Sequence, residues 1–184
     1  VVREMADALA LDLVDKGLVT NQLVLTVGYD RENLDDPSRA AQYKGPVTAD
    51  RYGRKIPKHA VGTENFLYTS SANDLLRAVT ALYDRIVDQN LLIRRLSISA
   101  NRLLDEASAW KEEPTEQLDL FTDYAAKEQQ EQADKAAHAR ERKLQEAMLG
   151  IKKRYGKNAI LKGMNLEDGA TARERNQTIG GHQA

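Results

Sequence analysis

The chain has 184 residues, of which 41% are hydrophobic and 30% charged, with a formal net charge of −1 at pH 7 and no cysteine. This length allows one ordinary domain plus a tail. The lack of cysteine excludes disulfide frameworks, thiol nucleophiles and cysteine–metal sites, and fits a reducing compartment.

Residues 1–16 place Val2, Met5, Leu9 and Leu13 at steps of three and four, the stripe of an amphipathic helix that Gly17 is placed to stop. The chain starts without an initiator Met or a signal-peptide layout, already in this helical pattern, so a fragment of a longer protein is expected. In residues 22–29 the period changes: Leu23, Leu25, Val27 and Tyr29 alternate with Gln22, Val24, Thr26 and Gly28, which predicts a strand with one apolar face. Residues 31–57, rich in Pro, Gly, Asp and Lys, read as a long functional or mobile loop. A second strand is expected from about His59 to Thr69. Ser70-Ser71 then offers N-cap oxygens to a helix carrying Leu75, Leu76, Val79, Leu82, Tyr83, Ile86 and Val87 and ending at Asn90. The segment from Leu92 to Ala100 predicts a third strand. Leu96, Ile98 and Ala100 would face the helices, and Arg95, Ser97 and Ser99 the other side, with Ile93 among them.

Helix–strand–strand–helix–strand implies an α+β unit in which two helices cover one face of a small antiparallel or mixed sheet. A split βαβ arrangement has four strands, so a first strand is expected to be missing upstream of Val1. We place this unit at residues 1–104, a linker at 105–122 and a charged, helical or disordered tail at 123–184. In the tail the sizeable helical stripe is Leu144, Met148 and Ile151 with Tyr155 one turn on, predicting a solvated helix that docks at its C-terminal end. Its later glycines predict short turns and a loose terminus.

Charge is partitioned along the chain. Residues 51–102 carry nine Lys and Arg against four Asp and Glu, whereas residues 103–146 carry six against twelve. A basic face can attract phosphates locally while an acidic stretch limits indiscriminate binding. Catalytic constellations are absent. Asp35-Asp36 sits in a loop and reads as an Asx-type turn. His59, His138 and His182 are scattered, and Gly180-Gly181 lacks the Lys-Ser/Thr of a phosphate loop. Trp110 in the linker either packs on the domain or is exposed.

Gln117-Leu118-Asp119-Leu120-Phe121 is flanked by polar sequence and Pro114, so no core strand runs through it. The pentapeptide resembles the short motif with which bacterial DNA polymerases and repair proteins attach to the replication sliding clamp. Residues 23–30 (LVLTVGYD), 50–59 (DRYGRKIPKH) and 93–99 (IRRLSIS), in this order and just before that motif, resemble the little-finger domain of Y-family DNA polymerases. These are the translesion enzymes of the bacterial polymerase IV and V type. The resemblance covers about residues 1–121 and extends to 157–163.

The resemblance implies a sheet laid in the DNA major groove that contacts backbone phosphates, mostly without reading bases. Arg95, Ser97 and Ser99 would donate to phosphate oxygens, with Thr63 and the backbone of Gly62 on the neighbouring strand. Arg94 is either a further contact or a residue snorkelling at the sheet margin, since alternation puts it on the helix side. Lys44, Arg51, Arg54, Lys55 and Lys58 either extend the footprint or line a solvated loop, and His59 either touches phosphate or is an ordinary loop histidine. For the clamp, Gln117 would sit over a polar site and Leu120 and Phe121 in an apolar pocket, with Leu118 and Asp119 at its rim.

The implied partners are primer–template duplex DNA and the sliding clamp, with no membrane, in a cytoplasmic, nucleoid-associated protein of DNA repair and the SOS response. The implied parent is a polymerase whose magnesium-holding palm lies upstream, and no cofactor is expected in this fragment. A clamp-binding adaptor without DNA binding is the alternative. An RNA-binding module is disfavoured because no strand carries the paired aromatics that stack bases.

Overall fold

A computed structural model describes residues 1–109, 124–179 and 182–183. The pentapeptide at 117–121 and Trp110 lie outside these residues.

Helix α1 (Val2–Lys16) ends where Gly17 takes a left-handed conformation (φ 64°) and its N–H reaches the Leu13 and Val14 carbonyls. Strand β1 (Leu18–Tyr29) follows directly, starting four residues earlier than alternation suggests. The segment expected to be an open loop is organised instead: α2 (Glu32–Asp35), α3 (Pro37–Gln42), and a hairpin of β2 (Val47–Ala49) and β3 (Lys55–Pro57). Polar side chains build it. Asn33, fully buried, donates to the Asp30 and Leu92 carbonyls (2.8 and 2.9 Å) and accepts from Leu92 N–H at 2.8 Å. Asp36 accepts from Ser38 N–H and Arg39 N–H to cap α3, the Asx-type turn expected of the acidic pair, while Asp35 pairs with Arg31.

Strand β4 (Ala60–Thr69) leads to α4 (Ala72–Ile86), whose N-cap Ser71 accepts from Asp74 N–H at 3.2 Å. Helix α4 stops at Ile86 rather than Asn90, because Val87 is extended and the Tyr29 hydroxyl accepts from the Asp88 N–H. Then come β5 (Ile93–Asn101), β6 (Leu104–Asp105), α5 (Glu106–Ala109), α6 (Tyr124–Tyr155), a 3-10 turn (Gly163–Asn165), α7 (Ala172–Arg175), and a short pair β7 (Thr178–Ile179) with β8 (His182–Gln183).

The main sheet is antiparallel throughout, in the order β4-β1-β5, with β6 pairing the start of β1. Helices α1 and α4 cover one face. Between them and the sheet lie Leu23, Leu25, Val27, Leu75, Val79 and Leu82, each at 0% exposure. Burying a side chain of this size contributes about 1.5–3 kcal/mol, so this layer dominates stability.

Helix α1 is buried on two stripes. Ala6, Ala10 and Leu13 join the main core, with Val2 and Leu9 partly buried beside them. Glu4, Asp7, Leu11 and Val14, at helical spacing, form a second stripe toward the C-terminal region. Glu4 is 4% exposed and accepts from Asn165 Nδ2 (3.0 Å), Thr171 N–H (3.0 Å) and Ala172 N–H (3.2 Å), with Arg175 beside it. Burial pushes its carboxyl up, but these donors outweigh burial and hold it below the usual glutamate value. Asp7 pairs with Lys162 and Asp15 with Lys153.

Helix α6 docks through polar side chains as well. Glu141 accepts from Ser71 Oγ (2.7 Å) and Asn73 N–H (2.9 Å). Gln145 donates to the Ser70 carbonyl (3.0 Å), and Arg142 bridges Ser70 Oγ, Glu106 and Glu146. Of the expected stripe only Met148 is buried; Ile151 is half-buried, and Leu144 and Tyr155 are 56% and 66% exposed. The terminus expected to be loose is tied to Glu4 and Asp7 up to Arg175.

Candidate nucleic-acid interface

Three strands present four cross-strand rows on the face away from the helices. At one end, Gln22 stands between Asn65 and Asn101, donating to Asn65 Oδ1 at 2.8 Å and accepting from Asn101 Nδ2 at 3.3 Å. Next come Thr63–Val24–Ser99 and Val61–Thr26–Ser97. At the far end Gly28 pairs with Arg95, and His59 comes in from the other side: a Cβ at Gly28 would lie 3.5 Å from Arg95 Cβ and 3.6 Å from His59 Nε2. Both are ordinary contact distances, so His59 and the stem of Arg95 flank the Gly28 backbone at this end of the face.

The structure thus brings together Arg95, Ser97, Ser99 and Thr63, all exposed. Among the described residues none of these side chains has a hydrogen-bond or ion-pair partner. Ile93 is a correction. Gly28 pairs with Arg95 but Tyr29 pairs with Ile93, so the strand bulges at Arg94 and the alternation is reset. Ile93 packs against the core, and Arg94, the extra residue, is exposed beside Arg95 at the margin of an edge strand. Alternation alone puts Arg94 on the helix side, and the bulge overrides it.

Gly62 is set apart from this group. It faces α4, and a Cβ on it would meet Leu82 Cδ1 at 2.7 Å and Ile86 Cγ2 at 2.8 Å. Its small size fits close helix-to-strand packing.

The remaining basic residues belong to the β2–β3 hairpin and its exit. Its base is anchored by Ile56, at 8% exposure, and by Lys58 N–H donating to the Pro46 carbonyl at 2.8 Å. Asp50 shapes the turn, accepting from Tyr52 N–H (2.8 Å), Arg54 N–H (3.0 Å) and Arg54 Nε (2.8 Å). The Arg54 side chain, followed by the backbone donors, pulls its carboxyl down to about 2. Arg54 is therefore committed to an internal pair, while Lys55 and Lys58 have no ion-pair partner among the described residues. Strand β3 leads straight to His59, so hairpin and open face are continuous.

The donors of Arg95, Ser97, Ser99 and Thr63 on this surface are unpaired among the described residues. Among the described residues no three His, Asp or Glu lie together as a metal-ion site. His138 instead pairs with Asp74 at 3.3 Å. No helix among them is long and apolar enough to cross a membrane. Sequence reasoning missed the amide ladder at Gln22, although alternation placed Gln22 on this face. Tyr52, an aromatic between two arginines beside a turn glycine, stands exposed at the hairpin tip.

Helices on one side and unpaired donors on the other define an open-faced α+β domain. Residues 1–120 match the family model of the impB/mucB/samB family C-terminal domain, and the chain belongs to that family. This is the little-finger, C-terminal region of Y-family DNA polymerases. No curated protein and no solved structure matches the chain.

Proposed function

We propose that this chain is the DNA-holding and clamp-docking part of a translesion DNA polymerase. The observation that carries the reading is the row of exposed donors on β5 and β4, Arg95, Ser97, Ser99 and Thr63, left without internal partners on a sheet whose other face is a closed core. These side chains sit at strand spacing and grip backbone phosphates of duplex primer–template DNA, with Arg94, Lys55 and Lys58 extending the footprint. Contacts of this kind ignore base identity, which suits passage over damaged template during DNA repair and the SOS response. Arg54 contributes through its hold on the hairpin turn.

Residues 117–121 dock the protein on the sliding clamp, with Leu120 and Phe121 as apolar anchors. Such a tether raises the local concentration of a weak DNA binder at its primer terminus. The working place is the cytoplasm, at the nucleoid. No step of nucleotide transfer is assigned to these residues, and the magnesium ions of polymerisation belong to the upstream palm.

Fluorescence anisotropy with blunt duplex DNA tests the reading. Binding should be indifferent to sequence, and its log–log salt slope should fall by about 1 on Arg95→Ala. Undetectable binding at low salt would overturn it and leave the adaptor. In a clamp pull-down, Leu120→Ala with Phe121→Ala should abolish capture while duplex affinity stays unchanged. Retained capture would remove 117–121 from the contact.

A further inference from the structure

We infer that the tip of the β2–β3 hairpin is a second nucleic-acid site, at which Tyr52 stacks on an unpaired base while Arg51 takes its phosphate. This rests on the reading of the open face as a DNA-holding surface, but on different residues.

Tyr52 is 65% exposed at the end of a two-stranded arm, although most exposed arm tips carry small polar residues. The backbone that carries it is nevertheless set. Tyr52 N–H and Arg54 N–H both donate to Asp50 Oδ1, Asp50 N–H donates to the Arg54 carbonyl at 2.9 Å, and Gly53 closes the turn with φ 76°. A side chain carried on an ordered turn spares the backbone share of the ordering cost when it meets a ligand.

The guanidiniums of Arg51 and Arg54 lie 4.7 and 4.9 Å from the Tyr52 ring centroid. They differ in what holds them. Two bonds to Asp50 Oδ2 lock Arg54, from Nε at 2.8 Å and Nη2 at 2.6 Å. Arg51 has no carboxylate partner among the described residues; it meets only the ring and hydroxyl of Tyr52. It can swing from the ring to a phosphate and leave an aromatic face open, while Arg54 stays in place.

The ligand class follows from geometry. Inside a duplex both faces of a base are covered by its neighbours, so a stacking side chain finds a free face only on an unpaired nucleotide. His59 lies seven residues beyond Tyr52, so the tip is at most ~25 Å from the Arg95 end of the open face. At 3.4 Å per base pair, that is within about seven base steps of a duplex held there. A single strand leaving that duplex is the ligand the tip can reach.

The test uses the full chain and three probes: blunt duplex DNA, the same duplex with a thymidine overhang, and a single-stranded oligothymidine. Tyr52→Ala should weaken oligothymidine binding about tenfold, the effect of losing one stacked base, and should remove the extra affinity conferred by the overhang. Blunt-duplex binding should not change. Tyr52→Trp should restore the loss and Tyr52→Leu should not, with unchanged circular dichroism showing that the fold persists. Unaltered oligothymidine binding, rescue by Leu, or an equal loss on blunt duplex would each overturn the proposal. The two readings fail separately: Arg95→Ala without effect on blunt duplex sinks the open face, whereas the Tyr52 series is read on the single strand.

Discussion

Glu4 and Arg95 are both charged residues on regular elements, and both sit where the sequence shows only an amphipathic pattern. Glu4 is 4% exposed and is met by an amide and two backbone N–H groups, with a guanidinium at its side. Arg95 is exposed and, among the described residues, is met by nothing. The side chains that dock the C-terminal region resemble Glu4, since Glu141, Arg142, Gln145 and Lys162 all end on named partners. On the open face, Ser97, Ser99 and Thr63 resemble Arg95. A polar side chain matched within the molecule serves the fold, and one left unmatched on an ordered strand is available to something else. Charge counts alone cannot separate the two.

That contrast can be broken experimentally. The largest effect is expected from Glu4→Ala, which strands the donors of Asn165, Thr171 and Ala172. It should cost about 3 kcal/mol in urea unfolding and expose 163–175 to hydrogen exchange, with duplex DNA affinity unchanged. Lost DNA affinity with intact stability would place Glu4 on the wrong side of the division. Gly62→Ala comes next. Its methyl would overlap Leu82 and Ile86, lowering stability by about 1–2 kcal/mol through overpacking. A selective loss of DNA binding with unchanged melting temperature would return Gly62 to the binding surface.

The smallest effect concerns Asp50. Its folded carboxyl titrates at about 2, below the ordinary aspartate value, because of Arg54 and the turn N–H groups. A lowered value means that its hold on the hairpin is complete above about pH 4 and fades as pH falls toward 2. The Arg54 Nε–H resonance should report this, shifting only over that acid range. A shift between pH 5 and 7 would mean another group holds the tip.

Much of the scaffold is legible in the sequence. Alternation finds β1, β4 and most of β5, and the Ser71 cap and apolar face find α4. What escapes depends on contacts distant along the chain. The bulge at Arg94 follows from the register against β1, not from the local pattern, so Ile93 is misplaced. Asn33 organises residues 31–57 by bonding to Leu92, 59 residues away, and no window of sequence displays that. Helix α6 is docked by Glu141, Arg142 and Gln145, whereas an apolar stripe points to Leu144 and Tyr155, which are exposed. On α1 the second stripe contains Glu4 and Asp7, which look solvated until the C-terminal region is seen to cover them.

Two neighbouring side chains of α6 bear on connectivity. Arg142 on α6 donates to Glu106 on α5 at 2.8 Å, and Glu141 grips the start of α4. The elements on either side of residues 110–123 are thereby fastened to one another independently of the peptide that joins them. A single backbone cut within that stretch would give two polypeptides that still travel as one particle on a native gel and separate only in denaturant.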